Sequence, residues 1–326
     1  MLNIYYIILV SFLFTNEKKD INSEFKTPLY AIVRSNISDS DLIKVLEHPH
    51  IEGITYYVGW SKLNPDEHIY DFSSLKKILN LAKKHNKKVN FGVLTGRWSP
   101  NWLKDKKIKY LYWEHFDDYV EAGNVSLAEA PVPWDKRFNH FFEVFLLKLK
   151  IIVDQNEDVL NAIEITGGSN TNGIETNFIC SDKEFKRVGF RYSKYIKNWE
   201  QIIDTFVKLF PNTVLTLAIH DVYGVRRTDL VSKELIAYCD LKYSERIKIA
   251  AFAFSEEQWF SKGNQYADLV LQLHPNDIML QSIRIYSNVN TTNDSFNQML
   301  LKADKIGPMW LEIWSEDIIA GFLNLK

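Results

Sequence analysis

From residue 27 onward, short apolar runs alternate with amphipathic segments, the pattern of repeated βα units that build a parallel sheet. Eight apolar runs, at residues 29–34, 51–58, 88–94, 160–166, 214–220, 247–254, 278–286 and 309–314, predict strands. Apolar positions three and four apart at 42–46, 75–85, 138–153, 192–209, 230–241, 266–273, 296–303 and 317–323 predict the helices that follow them. Eight strand–helix units are what a closed (β/α)8 TIM barrel requires. An open doubly wound sheet would often carry a glycine-rich phosphate turn after its first strand, and here that strand runs into Ser35-Asn36-Ile37-Ser38. The expected fold is α/β, a single-domain TIM barrel over residues 27–326.

Two connections are far longer than an ordinary βα loop, residues 96–133 after the third strand and 167–189 after the fourth. Both leave C-terminal strand ends, the face on which barrel enzymes keep their sites.

The chain has 326 residues, and its 46% hydrophobic and 25% charged residues fit a packed globular domain. A formal charge of −2 gives no footprint for a polyanion, so nucleic acid is not an expected partner. Cys180 and Cys239 lie in no CxxC motif and are read as free thiols, a disulfide between them being the alternative. No metal or cofactor motif is found, and no GxSxG elbow of a serine hydrolase. The apolar run at residues 5–14 has the length of a signal-peptide core and is too short to span a bilayer. Residues 1–26 are therefore expected to be an export signal with its linker, the alternative being an N-terminal element packed on the barrel.

Side-chain alternation places candidate chemistry inside the barrel. In the last run Met309, Leu311 and Ile313 share the face that meets the helices, leaving Trp310, Glu312 and Trp314 inward. In the fourth, Ile163 and Ile165 face outward, and Ala162, Glu164 and Thr166 inward. A mid-strand carboxylate in a packed interior is costly unless paired or used. The structural alternative for Glu164 and Glu312 is an internal ion pair with an arginine such as Arg34 or Arg284, on the first and seventh strands. After the fourth strand, residues 167–177 hold three glycines and several asparagines, which let backbone approach a ligand, and they carry Glu175 over the mouth. His220, inward on the fifth strand, is a candidate substrate contact or a hydrogen-bonded core histidine.

Trp60-Ser61-Lys62-Leu63-Asn64-Pro65 with Tyr70-Asp71-Phe72 resembles the second βα connection of clan A glycoside hydrolases, especially the β-galactosidase-like families. Ser99-Pro100-Asn101-Trp102-Leu103 is similar to their Ser-Pro-x-Trp-Leu stretch after the third strand, and Trp310-Leu311-Glu312-Ile313-Trp314 looks like the closing strand of glycosidase-like bacterial proteins. The resemblance implies a barrel that cleaves or binds a carbohydrate, with Glu175 as acid/base and Glu312 as nucleophile or base. Trp60, Trp98, Trp102 and Trp314 would be sugar platforms, with Glu164, His220 and Arg284 as further substrate contacts. Arg34 and Arg284 would hold Glu312 ionised. The chain departs from the clan pattern at two places. Gly167-Gly168 stands where an Asn-Glu pair ends the fourth strand, and Arg284-Ile285-Tyr286 where the seventh strand carries the nucleophile. Either Glu175 and Glu312 act from neighbouring positions, or the barrel binds a carbohydrate without that chemistry.

Overall fold

The computed structural model describes residues 25–116, 125–220, 222, 230–243, 246–258, 260–288 and 293–325. The apolar run at 5–14, with Asn124, Asp221 and Asn290, lies outside them. Ten strands are described: β1 (Leu29–Arg34), β2 (Ile51–Gly59), β3 (Lys88–Leu94), β4 (Tyr110–Phe116), β5 (Val125–Pro131), β6 (Leu160–Glu164), β7 (Val214–Ala218), β8 (Ile247–Phe254), β9 (Ile278–Ser282) and β10 (Leu311–Trp314). Eight of them close a barrel in the order β1-β10-β9-β8-β7-β6-β3-β2, with every pairing parallel.

Each helix sits on the sheet by the apolar stripe that its sequence carries. The helix Lys136–Asp154 starts where the Asp135 side chain accepts the Arg137 amide, and buries Phe138, Phe142, Phe145, Leu146 and Leu149. Each such side chain contributes about 1.5–3 kcal/mol by leaving water. Outward strand positions, among them Ile163, Leu215, Ile249 and Leu311, join this helix-covered core. A second cluster fills the barrel itself: Tyr30, Ala162, Ala218, Ala250, Phe252, Met279 and Trp310. Met309, expected outward, precedes β10 and packs on this inner cluster instead.

Strands β6, β7 and β9 stop short of the predicted ends because loop backbone takes over their hydrogen bonds. The Gly167 amide donates to the Gly173 carbonyl, and the Thr176 amide to the Ala218 carbonyl. Within the long connection after β3, β4 and β5 form an antiparallel hairpin that the sequence reading left as loop. Its signal was a short alternation, with Leu111 and Trp113 buried and Tyr112 and Glu114 exposed. Among the described residues no helix is long and apolar enough to cross a membrane.

Candidate active site

Glu312 is the second residue of β10 and is fully buried inside the barrel. Four side chains donate to its carboxylate. Thr55 Oγ1 lies 2.6 Å, Asn90 Nδ2 3.1 Å and Trp310 Nε1 3.3 Å from Oε1, and Tyr57 Oη lies 3.1 Å from Oε2. Thr55 and Tyr57 alternate along β2, and Asn90 faces them from β3, so adjacent strands converge on one acceptor. Asn161 donates to Asn90 Oδ1 at 2.8 Å, fixing the amide so that its nitrogen faces Glu312. Burial pushes the Glu312 carboxyl up to about 7, and the bonds from Thr55, Tyr57, Trp310 and Asn90 oppose that rise. Neither expected arginine reaches it. Arg34 stacks on Trp314 at 4.8 Å and faces Glu316 at 4.0 Å, while Arg284 bonds Glu257 at 2.6 Å. Both guanidinium groups turn to carboxylates of the rim, where charge is partly solvated, and the cradle of Glu312 is built from neutral donors.

Glu164 ends β6 and is equally buried, and neither of its oxygens forms a hydrogen bond of ordinary geometry. Its pKa lies well above the usual carboxylate range, through burial first and the Glu312 charge second, with nearby Thr216 opposing. Burial and the neighbouring Glu312 thus disfavour charge on Glu164, whereas Glu312 has four donors to offset its own burial. Gly92 makes the room: a Cβ there would stand 2.7 Å from the Tyr57 ring and 3.2 Å from Glu164 Cγ. The phenol of Tyr57 is driven up by burial and by Glu312 and Glu164, with a smaller push from Glu175.

The loop after β6 folds back over the mouth. Its carbonyls are tied to the connection after β3, the Thr95 amide donating to the Asn172 carbonyl and the Arg97 amide to that of Thr171. Gly173 has φ +80°, and a Cβ there would meet Thr95 Oγ1 at 1.8 Å, so only glycine fits. This turn carries Ile174 into the inner cluster, where it is 1% exposed. Glu175 follows, half-buried, accepting from Asn172 Nδ2 at 2.8 Å.

The aromatic residues divide. Trp60 is wholly buried among Trp102, Phe138, Phe142 and Phe145, so it is core and no platform. Trp102 packs edge-on against Trp60 and Phe141 and donates to the Asn64 carbonyl, which leaves it partly covered. Trp98 is 41% exposed beside Gly59 at the end of β2, and Trp314 is half-buried at the end of β10, its indole nitrogen on the Ser282 carbonyl. His220 lies two residues past β7, its backbone held by Thr176 and Ser232 and its ring 6.0 Å from Tyr266. Cys180 and Cys239 are free thiols. Among the described residues no three His, Cys, Asp or Glu side chains could hold a metal ion. The sequence reading missed Thr55, Tyr57, Asn90 and Gln281. Their signal was polar residues recurring at every second position of apolar strands, on the face later found inward.

Residues 34–124, from the end of β1 through β2 and β3 into the long connection after β3, match the family model of the glycoside hydrolase family 42 beta-galactosidases. Solved structures share the whole architecture. The chain folds as a TIM barrel similar to those of glycoside hydrolases. The barrel superposes on the catalytic domain of a beta-amylase from Paenibacillus polymyxa with a TM-score of 0.62 at 11% identity, over 89% of this chain and 93% of that one. It is also similar to the intracellular xylanase TsXylA of Thermoanaerobacterium saccharolyticum, with TM-score 0.56, 15% identity, and 93% and 91% coverage. A beta-galactosidase from Bacillus circulans sp. alkalophilus gives TM-score 0.55 at 10% identity over 90% of this chain, which spans about half (51%) of that structure. At these identities the likeness is one of fold. No curated protein matches the chain by sequence.

Proposed function

We propose that the chain acts on a carbohydrate at the C-terminal mouth of the barrel, with Glu175 as proton donor and Glu312 as the carboxylate that attacks or activates water. One observation carries this reading: among the described residues no cation bonds the buried Glu312, and four neutral donors surround it instead. An ion pair would have given it a structural reason, and an unpaired buried carboxylate weakens a fold, so its retention in a preorganised cradle fits use rather than stability. Glu164 is the second buried carboxyl of the site, and the exposed Trp98 and the half-buried Trp314, which carries Arg34 over its ring, are the aromatic rings against which a sugar would rest. Ile174 is buried in the inner cluster, so substrate entry requires its loop to lift. The similarity to glycoside-hydrolase structures supports the substrate class.

A second reading, carbohydrate binding without cleavage, is favoured by the full burial of Glu164, Glu312 and Ile174. Product analysis of a panel of β-linked and α-linked oligosaccharides separates the two. Cleavage by the wild-type chain, lost by at least about a hundredfold in E312Q and in E175Q with binding retained, supports the hydrolase. Unchanged turnover in E312Q would sink its assignment, and affinity without product from the wild-type chain selects the binding protein.

A further inference from the structure

A cleft of about 410 Å³ opens between the starts of the helices Lys136–Asp154 and Tyr192–Leu209. In a βα barrel both helix starts lie at the C-terminal face, so the cleft is on the same rim as the mouth, and the loop carrying Glu175 leads into its wall at Val188. Lys109, Lys136, Arg137 and Lys194 line it, against one carboxylate, Asp135. That carboxylate is already engaged, Oδ1 accepting the Arg137 amide at 2.9 Å and Oδ2 the Lys109 amide at 3.1 Å. Lys136 and Arg137 occupy one first helical turn and Lys194 the other, with Arg191 at its N-cap, and neither turn contains an acidic residue. Cations at a helix start oppose the helix dipole; the Asp135 cap offsets this at the first helix, and no acidic residue of its first turn does so at the second. Lys194 is held 5.3 Å over the Trp134 ring, and burial with repulsion from Lys109 and Arg191 lowers its pKa. The whole chain carries a formal charge of only −2, so this is a local concentration of positive charge rather than a general one.

We propose that this cleft binds the carboxylate or sulfate groups of an acidic saccharide whose neighbouring units reach the barrel mouth. The proposal rests on the carbohydrate reading above and adds a charge requirement to it. Two helix ends and four cations supply charge-assisted donors that a neutral glycan could not use.

Calorimetric titration of the full chain tests it with four probes: a galacturonate tetramer, a sulfated tetrasaccharide, neutral xylotetraose and inorganic sulfate. At least one acidic tetramer should bind more tightly than xylotetraose and lose about tenfold or more in affinity in K136Q/K194Q, with xylotetraose unaffected. The unliganded double variant should melt no lower than wild type, since like-charge repulsion is removed. If it does not fold, K109Q and the salt dependence of wild-type binding replace it, and an affinity indifferent to ionic strength between about 50 and 500 mM overturns the proposal. Equal acidic-tetramer affinity in wild type and variant overturns it, as does binding of inorganic sulfate alone. Neutral binding that is lost in W314A, with no advantage for acidic probes, removes the cleft and leaves the carbohydrate reading standing. An absence of all saccharide binding removes both.

Discussion

A glutamine at position 312 keeps the shape of the cradle while removing its charge. The amide oxygen still accepts from Thr55, Asn90 and Trp310, and the amide nitrogen donates to Tyr57, whose own proton can turn to Gln281 at 3.1 Å. Alanine leaves Thr55 and Trp310 buried without that acceptor, at about 1–3 kcal/mol each, while Tyr57 keeps Gln281 and Asn90 keeps Thr55. E312A is therefore expected to melt well below E312Q by calorimetry, and equal melting of the two would mean that the donors find water instead. The carboxyls also tie stability to pH. Folding raises Glu312 from 4.5 to about 7 and raises Glu164 too, so the folded state holds protons that the unfolded chain releases. The resulting stability is complete below about pH 4.5 and is lost as pH rises through 7, an effect of roughly 3 kcal/mol from Glu312. Chemical denaturation should show stability falling between pH 5 and 8, with a shallower fall in E312Q; a flat wild-type profile would contradict the burial argument.

At the level of elements, the loop after β6 decides what the strands can expose. It is pinned through Thr95, Arg97 and Ala218, and its turn at Gly173 places Ile174 inside the barrel. G173A should cost about 1–3 kcal/mol through its φ of +80° and its contact with Thr95, and should release Ile174 from the mouth. Labelling of Glu312 by a carbodiimide at pH 6, read by mass spectrometry, should then be faster than in wild type. Unaltered labelling would mean that Ile174 does not control access. The glycines and asparagines of this loop showed in the sequence that backbone would come close to something. That the something is Thr95, and that the next residue is buried inside the barrel, depends on how two connections meet. The hairpin β4–β5 was harder to read for a similar reason, since its stability comes from burying Leu111 and Trp113 against the barrel.

At the scale of the molecule, barrel closure brings residues from β2, β3, β6 and β10 to one point, although β2 and β10 lie at opposite ends of the chain. The same closure gathers basic residues from the long connection after β3 and from the start of the helix Tyr192–Leu209 into one cleft. Glu164, Glu175 and Glu312 were legible as candidates because a carboxylate on an apolar strand, or on a glycine-rich loop at a strand's C-terminal end, stands out against its surroundings. The partners of Glu312 were not, because Thr55, Tyr57 and Asn90 are individually unremarkable polar residues within apolar strands.

The sequence by itself determined the eight-fold strand and helix pattern, the inward placing of Glu164 and Glu312 and the position of both long connections, because side-chain periodicity is a local property. Only the tertiary structure decided that Glu312 meets four neutral donors instead of an arginine, that Trp60 belongs to the core and that Ile174 joins the inner cluster. Those outcomes depend on the stagger between strands and on where loops cross, which are set when the barrel closes and not by any one segment.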